Sequence, residues 1–124
     1  MLPHNALVVV ADGHSATLFR NTAKHGLGLT QTERVTLASL NKPDAASADG
    51  VPGDDPDLFA MQLADHLNGM ILRNKVDDIA VIADPSTLGT LRKRYHKELQ
   101  FRLRKEVTKN LSNSDLRAIE DALS

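Results

Sequence analysis

Ala6-Leu7-Val8-Val9-Val10-Ala11-Asp12-Gly13, followed by Ala16-Thr17-Leu18-Phe19-Arg20, is the stretch that decides the fold. An unbroken apolar run rich in β-branched residues reads as a central strand buried on both faces, because a strand with one wet face alternates instead. Asp12-Gly13 predicts a tight turn: glycine enters positive φ without a Cβ clash, and aspartate bonds its own backbone. Ala16–Arg20 then returns as the second strand of a hairpin. Gly26 and Gly28 bracket another turn, and Leu29–Leu37, alternating and rich in threonine, predicts a third strand near a sheet edge.

Further along, Ile79-Ala80-Val81-Ile82-Ala83 is a second wholly apolar strand. Between the third strand and this one, Asp55-Pro56 has the chemistry of a helix start, with Asp as N-cap and Pro at the first helical position. Phe59, Leu63, Leu67 and Met70, flanked by Ala60, Ala64 and Ile71, form a stripe at helical spacing that runs to about Arg73. Strand, helix and strand in succession predict a right-handed crossover onto a parallel neighbour. Pro85-Ser86 opens a second helix, expected to reach about residue 100 with Leu88, Leu91, Tyr95 and Leu99 inward. Gly89 inside it costs about 1 kcal/mol relative to alanine, which implies close backbone packing there. Residues 101–109 fit strand alternation (Phe101, Leu103, Val107) and helical spacing (Leu99, Leu103, Val107); the favoured reading is a short strand over about 102–108. Ser112 or Asn113 caps a last helix with Leu116, Ile119 and Leu123 inward. The order β-β-β-α-β-α-β-α describes a single α/β domain over residues 1–124. Its mixed five-stranded sheet, with helices packed on it, has the ribonuclease-H-like pattern.

Composition agrees and excludes much else. The 124 residues are 41% apolar and 25% charged, enough for one modest core. There is no cysteine, so disulfides, thiolate metal sites and cysteine nucleophiles are excluded. The start lacks a basic region and the run Ala6–Ala11 is too short for an export signal or a membrane span, so the expectation is a cytoplasmic protein with no membrane partner. Asn41–Asp57 holds three prolines, two glycines and five aspartates, and predicts a long acidic loop. Met70-Ile71-Leu72, apolar nearly all round its helix, fits either core or a self-association surface, which leaves the oligomeric state open.

Charge is the most uneven property. Arg92, Lys93, Arg94, Lys97, Arg102, Arg104, Lys105 and Lys109 face only Glu98 and Glu106 within their segment, a formal +6 against −7 for the rest of the chain. Such a stretch neutralises phosphates in a salt-dependent way, and Tyr95 and Phe101 would stack on bases unless they belong to the core. The competing reading is a solvated face balanced by acids elsewhere. A second candidate is Asp12 with Asp84, each closing one of the apolar strands. Parallel neighbours would set these carboxylates together, as a two-metal nuclease requires, with Asp57 or Asp65 as a further ligand. The alternative is that Asp12 makes a turn and Asp84 caps a helix. His4, His14, His25, His66 and His96 lack metal-ligand spacing, Ser15 and Ser86 lack a nucleophile elbow, Gly26-Leu27-Gly28 precedes no helix, and the loop aspartates lack calcium-loop spacing.

Five segments in order carry a family likeness: Leu7–Gly13 with Ala16 and Leu18-Phe19; Phe59-Ala60, Leu63-Ala64 and Leu67; Ile79–Pro85; Leu88-Gly89-Thr90-Leu91-Arg92; and Lys109-Asn110-Leu111-Ser112, where the family usually has a Lys-Asp-Leu-Thr-like stretch. With these the chain resembles the bacterial family labelled "protein required for attachment to host cells". That family looks like a relative of the middle domain of archaeal and eukaryotic peptide-release factors, which has a ribonuclease-H-like fold. Release factors of that kind carry a Gly-Gly-Gln tripeptide on a long loop. Here the loop reads Asp49-Gly50-Val51-Pro52-Gly53-Asp54 and the tripeptide is missing. The resemblance therefore implies a non-enzymatic, cofactor-free factor or adaptor associated with the ribosome or RNA, acting indirectly on attachment. The alternatives are a metal-dependent nuclease using Asp12 and Asp84, and a module that docks a protein through the acidic loop or the Met70 region.

Overall fold

The structure, a computed structural model, describes residues 3–36, 56–73, 76–111 and 115–123. Strand β1 (Leu7–Ala11) is buried at every position and lies at the centre of the sheet. It pairs antiparallel with β2 (Ser15–Asn21), Val9 opposite Leu18, and β2 pairs antiparallel with β3 (Leu29–Thr36). On its other side β1 pairs parallel with β4 (Ile79–Ala83), Val9 opposite Val81, and β4 pairs parallel with β5 (Leu103–Thr108). The strand order is β3-β2-β1-β4-β5, a mixed sheet of the ribonuclease-H-like α/β arrangement. The two apolar runs became adjacent parallel strands because only a central position offers cover on both faces.

Helix α1 (Pro56–Leu72) makes the crossover from β3 to β4. Phe59, Leu63, Leu67 and Ile71 bury against Leu7, Val9, Ala11, Leu18 and Val81, and Met70 packs partly buried beside them. Leu72 turns outward and is 52% exposed. The opposite face of the sheet, with Val8, Val10, Phe19 and Ile82, is covered by Ile119 and Leu123 of a final short helix. The stretch expected as a long loop, up to Asp55 and including that expected N-cap, lies outside the described residues, as do Ser112 and Asn113. At the final helix Asp115 Oδ1 accepts from the Ala118 N–H at 3.0 Å, a cap the sequence reading passed over.

Three expectations need correction. The helix that opens at Pro85 does not run to residue 100: α2 (Pro85–Arg94) stops, Tyr95 and His96 are extended, and α3 (Lys97–Arg102) starts afresh, so the described residues hold four helices, with α4 at Leu116–Leu123. The cause lies on α1. Asn68 Nδ2 donates to the Arg94 carbonyl at 2.9 Å and Asn68 Oδ1 accepts from His96 N–H at 2.8 Å, so one carboxamide satisfies a group on each side of the break. His96 Nδ1 then accepts from Glu98 N–H as the α3 cap. Tyr95 and Leu99 still bury, as the stripe required. The second correction concerns Gly89: a Cβ there would meet nothing within 4 Å, so no close backbone contact explains it. The third is β3, whose residues 30–34 are all exposed. Anchored at Leu29 and Val35, this edge strand overhangs the core rather than alternating across it.

Asn21, fully buried at the end of β2, was not singled out from sequence. Its Nδ2 donates to the carbonyls of Pro3 and Gly26, and its Oδ1 accepts from the N–H groups of Gly28 and Ala23. This amide, using both donors and both acceptor positions, organises the connection to β3, where Gly26 sits at φ 74°.

Candidate nucleic-acid interface

The parallel register fixes where the two strand-end aspartates start. Ala11 is opposite Ala83, so Asp12 and Asp84 leave adjacent strands at the same end of the sheet. Both are engaged locally. Asp12 Oδ1 accepts from His14 N–H (2.7 Å) and Ser15 N–H (2.8 Å), closing the turn before β2. Asp84 Oδ2 accepts from Thr87 N–H at 3.1 Å as the N-cap of α2, while its Oδ1 is buried with no hydrogen-bond partner among the described residues. Asp65 does not join them: it is held on α1 by Arg94. The side chain of Asp57 lies outside the described residues. Among the described residues no three His, Cys, Asp or Glu side chains converge as a metal site would need.

The basic stretch is distributed over α2, α3 and β5, and its arginines are matched to carboxylates. Arg92 Nε and Nη2 donate to Glu106 Oε1 at 3.0 and 2.8 Å, tying α2 to β5. Arg94 Nη2 reaches both oxygens of Asp65 on α1, at 3.1 and 2.9 Å. Arg102 pairs with Asp77 at 3.4 Å and approaches Glu98, and Arg104 Nε bonds Asp78 at 2.6 Å. Lys105 points to the opposite face of the sheet, where Nζ donates to the Leu123 carbonyl at 3.4 Å. Exposed pairs of this kind contribute about 0–1 kcal/mol each. Their larger effect is on the field: the acids that bind these arginines lie mostly outside the basic segment, so a linear count overstates the local positive charge. Lys93 and Lys97 are exposed and bond nothing among the described residues.

Tyr95 and Phe101 separate cleanly. Tyr95 is 7% exposed, and burial pushes its phenol well above the ordinary range; the nearby Glu106 carboxylate adds to the rise and Arg92 opposes it. Glu106 in turn raises Arg92 above its ordinary value, through the hydrogen bond first and the charge second. Phe101 is 77% exposed, whereas Phe19 and Phe59 are buried like Tyr95, so Phe101 is the aromatic whose ring reaches solvent. A feature the sequence reading missed is a cleft of about 360 Å³ between α1 and α2, lined by Met61, Thr90, Lys93 and Arg94. Met61 and Asp65 are one turn apart on α1, but nothing in the sequence says which face of α2 they meet.

Residues 5–123 match the model of bacterial archaeo-eukaryotic release factor family 12. The chain belongs to this family. No curated protein matches it. The expected kinship to release factors thus holds over nearly the whole length, on the sheet and helices described above. Among the described residues of this family member no helix is long and apolar enough to cross a membrane.

Proposed function

We propose that this member of the release-factor family is a translation-associated factor that does not itself catalyse peptide release, working in the cytoplasm through contact with the ribosome or RNA. The observation that carries this reading is the family match over residues 5–123 on a chain with no Gly-Gly-Gln tripeptide. Lys93 on α2, and Lys97 with the exposed Phe101 one turn along α3, supply the chemistry for such a contact: cations for phosphates and a ring for an unpaired base. Any influence on attachment to host cells is then indirect, through the proteins whose translation the factor affects.

Sedimentation of cell lysate through sucrose tests the reading. The protein is expected to travel with ribosomal subunits at low salt and to stay at the top at high salt; absence from the ribosomal fractions at low salt would overturn it. Peptidyl-tRNA hydrolysis by the purified protein would overturn its non-catalytic part.

One observation favours a second reading, a metal-dependent nuclease: Asp84 Oδ1, without a partner among the described residues, at the end of the strand that neighbours the one Asp12 follows. The turn and cap bonds already made by these carboxylates weigh against it. Manganese-dependent RNA cleavage by the wild type that disappears in Asp12→Asn would establish it.

A further inference from the structure

We propose that the cleft between α1 and α2 seats a backbone phosphate of single-stranded RNA, an inference that rests on the RNA-contact reading above and gives it an address. The lining supplies donors in excess of acceptors. Lys93 brings three N–H donors with no acceptor among the described residues. Arg94 spends only Nη2 on Asp65, which leaves Nη1 and Nε without a partner among the described residues while the carboxylate holds the guanidinium plane in place. Thr90 Oγ1 makes one long bond, 3.4 Å, to the Ser86 carbonyl and can turn to a better acceptor. Met61 forms an apolar wall opposite them.

A ligand that suits this cleft accepts hydrogen bonds at several oxygens, donates none at that end, carries negative charge and continues into something with an apolar surface. A phosphodiester with its attached ribose answers to that description. With Lys93 and Arg94 positive and Asp65 negative, the local charge is +1, so this one site binds weakly, and a strong salt dependence comes only from a strand held at several such points. Of the remaining arginines of the basic stretch, Arg92 has committed both Nε and Nη2 to Glu106, and Arg102 and Arg104, paired with Asp77 and Asp78, are not among the residues that line the cleft.

Fluorescence anisotropy with a labelled ten-nucleotide oligouridylate at low salt tests the proposal. The variants are Lys93→Gln, Met61→Glu and, as a charge control on the β2–β3 connection, Lys24→Gln; circular dichroism checks that each folds. The expected result is about ten-fold weaker binding for Lys93→Gln, the loss of one charge-assisted contact, with a salt slope shallower by about 0.7. Met61→Glu is expected to weaken binding further, and Lys24→Gln to match the wild type. If the wild type binds and neither cleft variant differs from Lys24→Gln, the cleft assignment fails while RNA contact stands. If the oligonucleotide does not bind but inorganic phosphate or AMP shifts the amide resonances of Thr90 and Lys93, the cleft takes a free monoester and the proposal is overturned. If the protein binds neither this RNA nor ribosomes, the cleft assignment and the function proposed above fall together.

Discussion

On one face of the sheet, Leu7, Val9 and Ala11 of β1 meet side chains from three helices, with Phe59, Leu63, Leu67, Leu88, Leu91 and Leu99 all fully buried. On the other face, Val8 and Val10 of the same strand are as deeply buried, yet among the described residues the helix covering them is the eight-residue α4. The thick face is held by volume. The thin face adds polar ties at its margins, where Glu120 Oε2 accepts from Leu29 N–H at 3.1 Å and Lys105 Nζ reaches the carbonyl of Leu123. Equal burial of adjacent residues thus conceals unequal depth of packing. A short helix opens at lower free energy than a three-helix layer, since local stability follows the contacts that must be broken.

The sharpest test sets one large side chain against another. Phe59→Ala is expected to lower unfolding stability by about 3–5 kcal/mol, and Ile119→Ala by about 2 kcal/mol, because α4 can settle into the space. Equal losses in urea denaturation would break the comparison. Next, Glu120→Ala is expected to cost about 1.5 kcal/mol, one charge-assisted bond. It should speed hydrogen exchange in α4 while leaving α1 protected; uniform acceleration would mean that the thin face does not open separately.

Smaller effects come from imperfections in the thick face. The Tyr95 hydroxyl is buried with no partner among the described residues, so Tyr95→Phe is expected to raise stability by about 1 kcal/mol near neutral pH. The sign of its pH dependence follows from the raised phenol: the unfolded chain loses this proton first, near pH 10. The contribution of Tyr95 is therefore complete below pH 10 and is lost as pH rises through the higher folded value. The wild type should lose stability above pH 10 more steeply than Tyr95→Phe, measured by denaturation across that range. Smallest is Gly89→Ala, expected to raise stability by about 0.5–1 kcal/mol because the added methyl meets nothing and helix entropy improves. A drop in melting temperature would show that this position is more crowded than its surroundings indicate.

Local pattern carried a great deal of this architecture. The runs at 7–11 and 79–83 announced adjacent central strands, the stripe from Phe59 to Ile71 announced α1, and Asp12-Gly13 announced the hairpin. Even the doubtful segment after Phe101 begins its strand at Leu103, one residue from expectation. What sequence did not reveal depends on partners far away along the chain. The break between α2 and α3 depends on Asn68, 26 and 28 residues from the groups it binds. The basic stretch looked like one field because Asp65, Asp77 and Asp78 lie elsewhere in sequence and beside it in space. Phe101 and Tyr95 both matched an apolar pattern, and only the restart of the helix at Lys97 fixes which one faces water.

The Asn68 carboxamide has a consequence for how relatives of this chain can change. A donor and an acceptor on one side chain are both spent on the junction at residues 94–96, so neither aspartate nor leucine can replace it without leaving one backbone group unanswered. Position 68 and the junction should therefore covary: relatives that lose the asparagine will either let the helix run straight through or bring new capping residues with them.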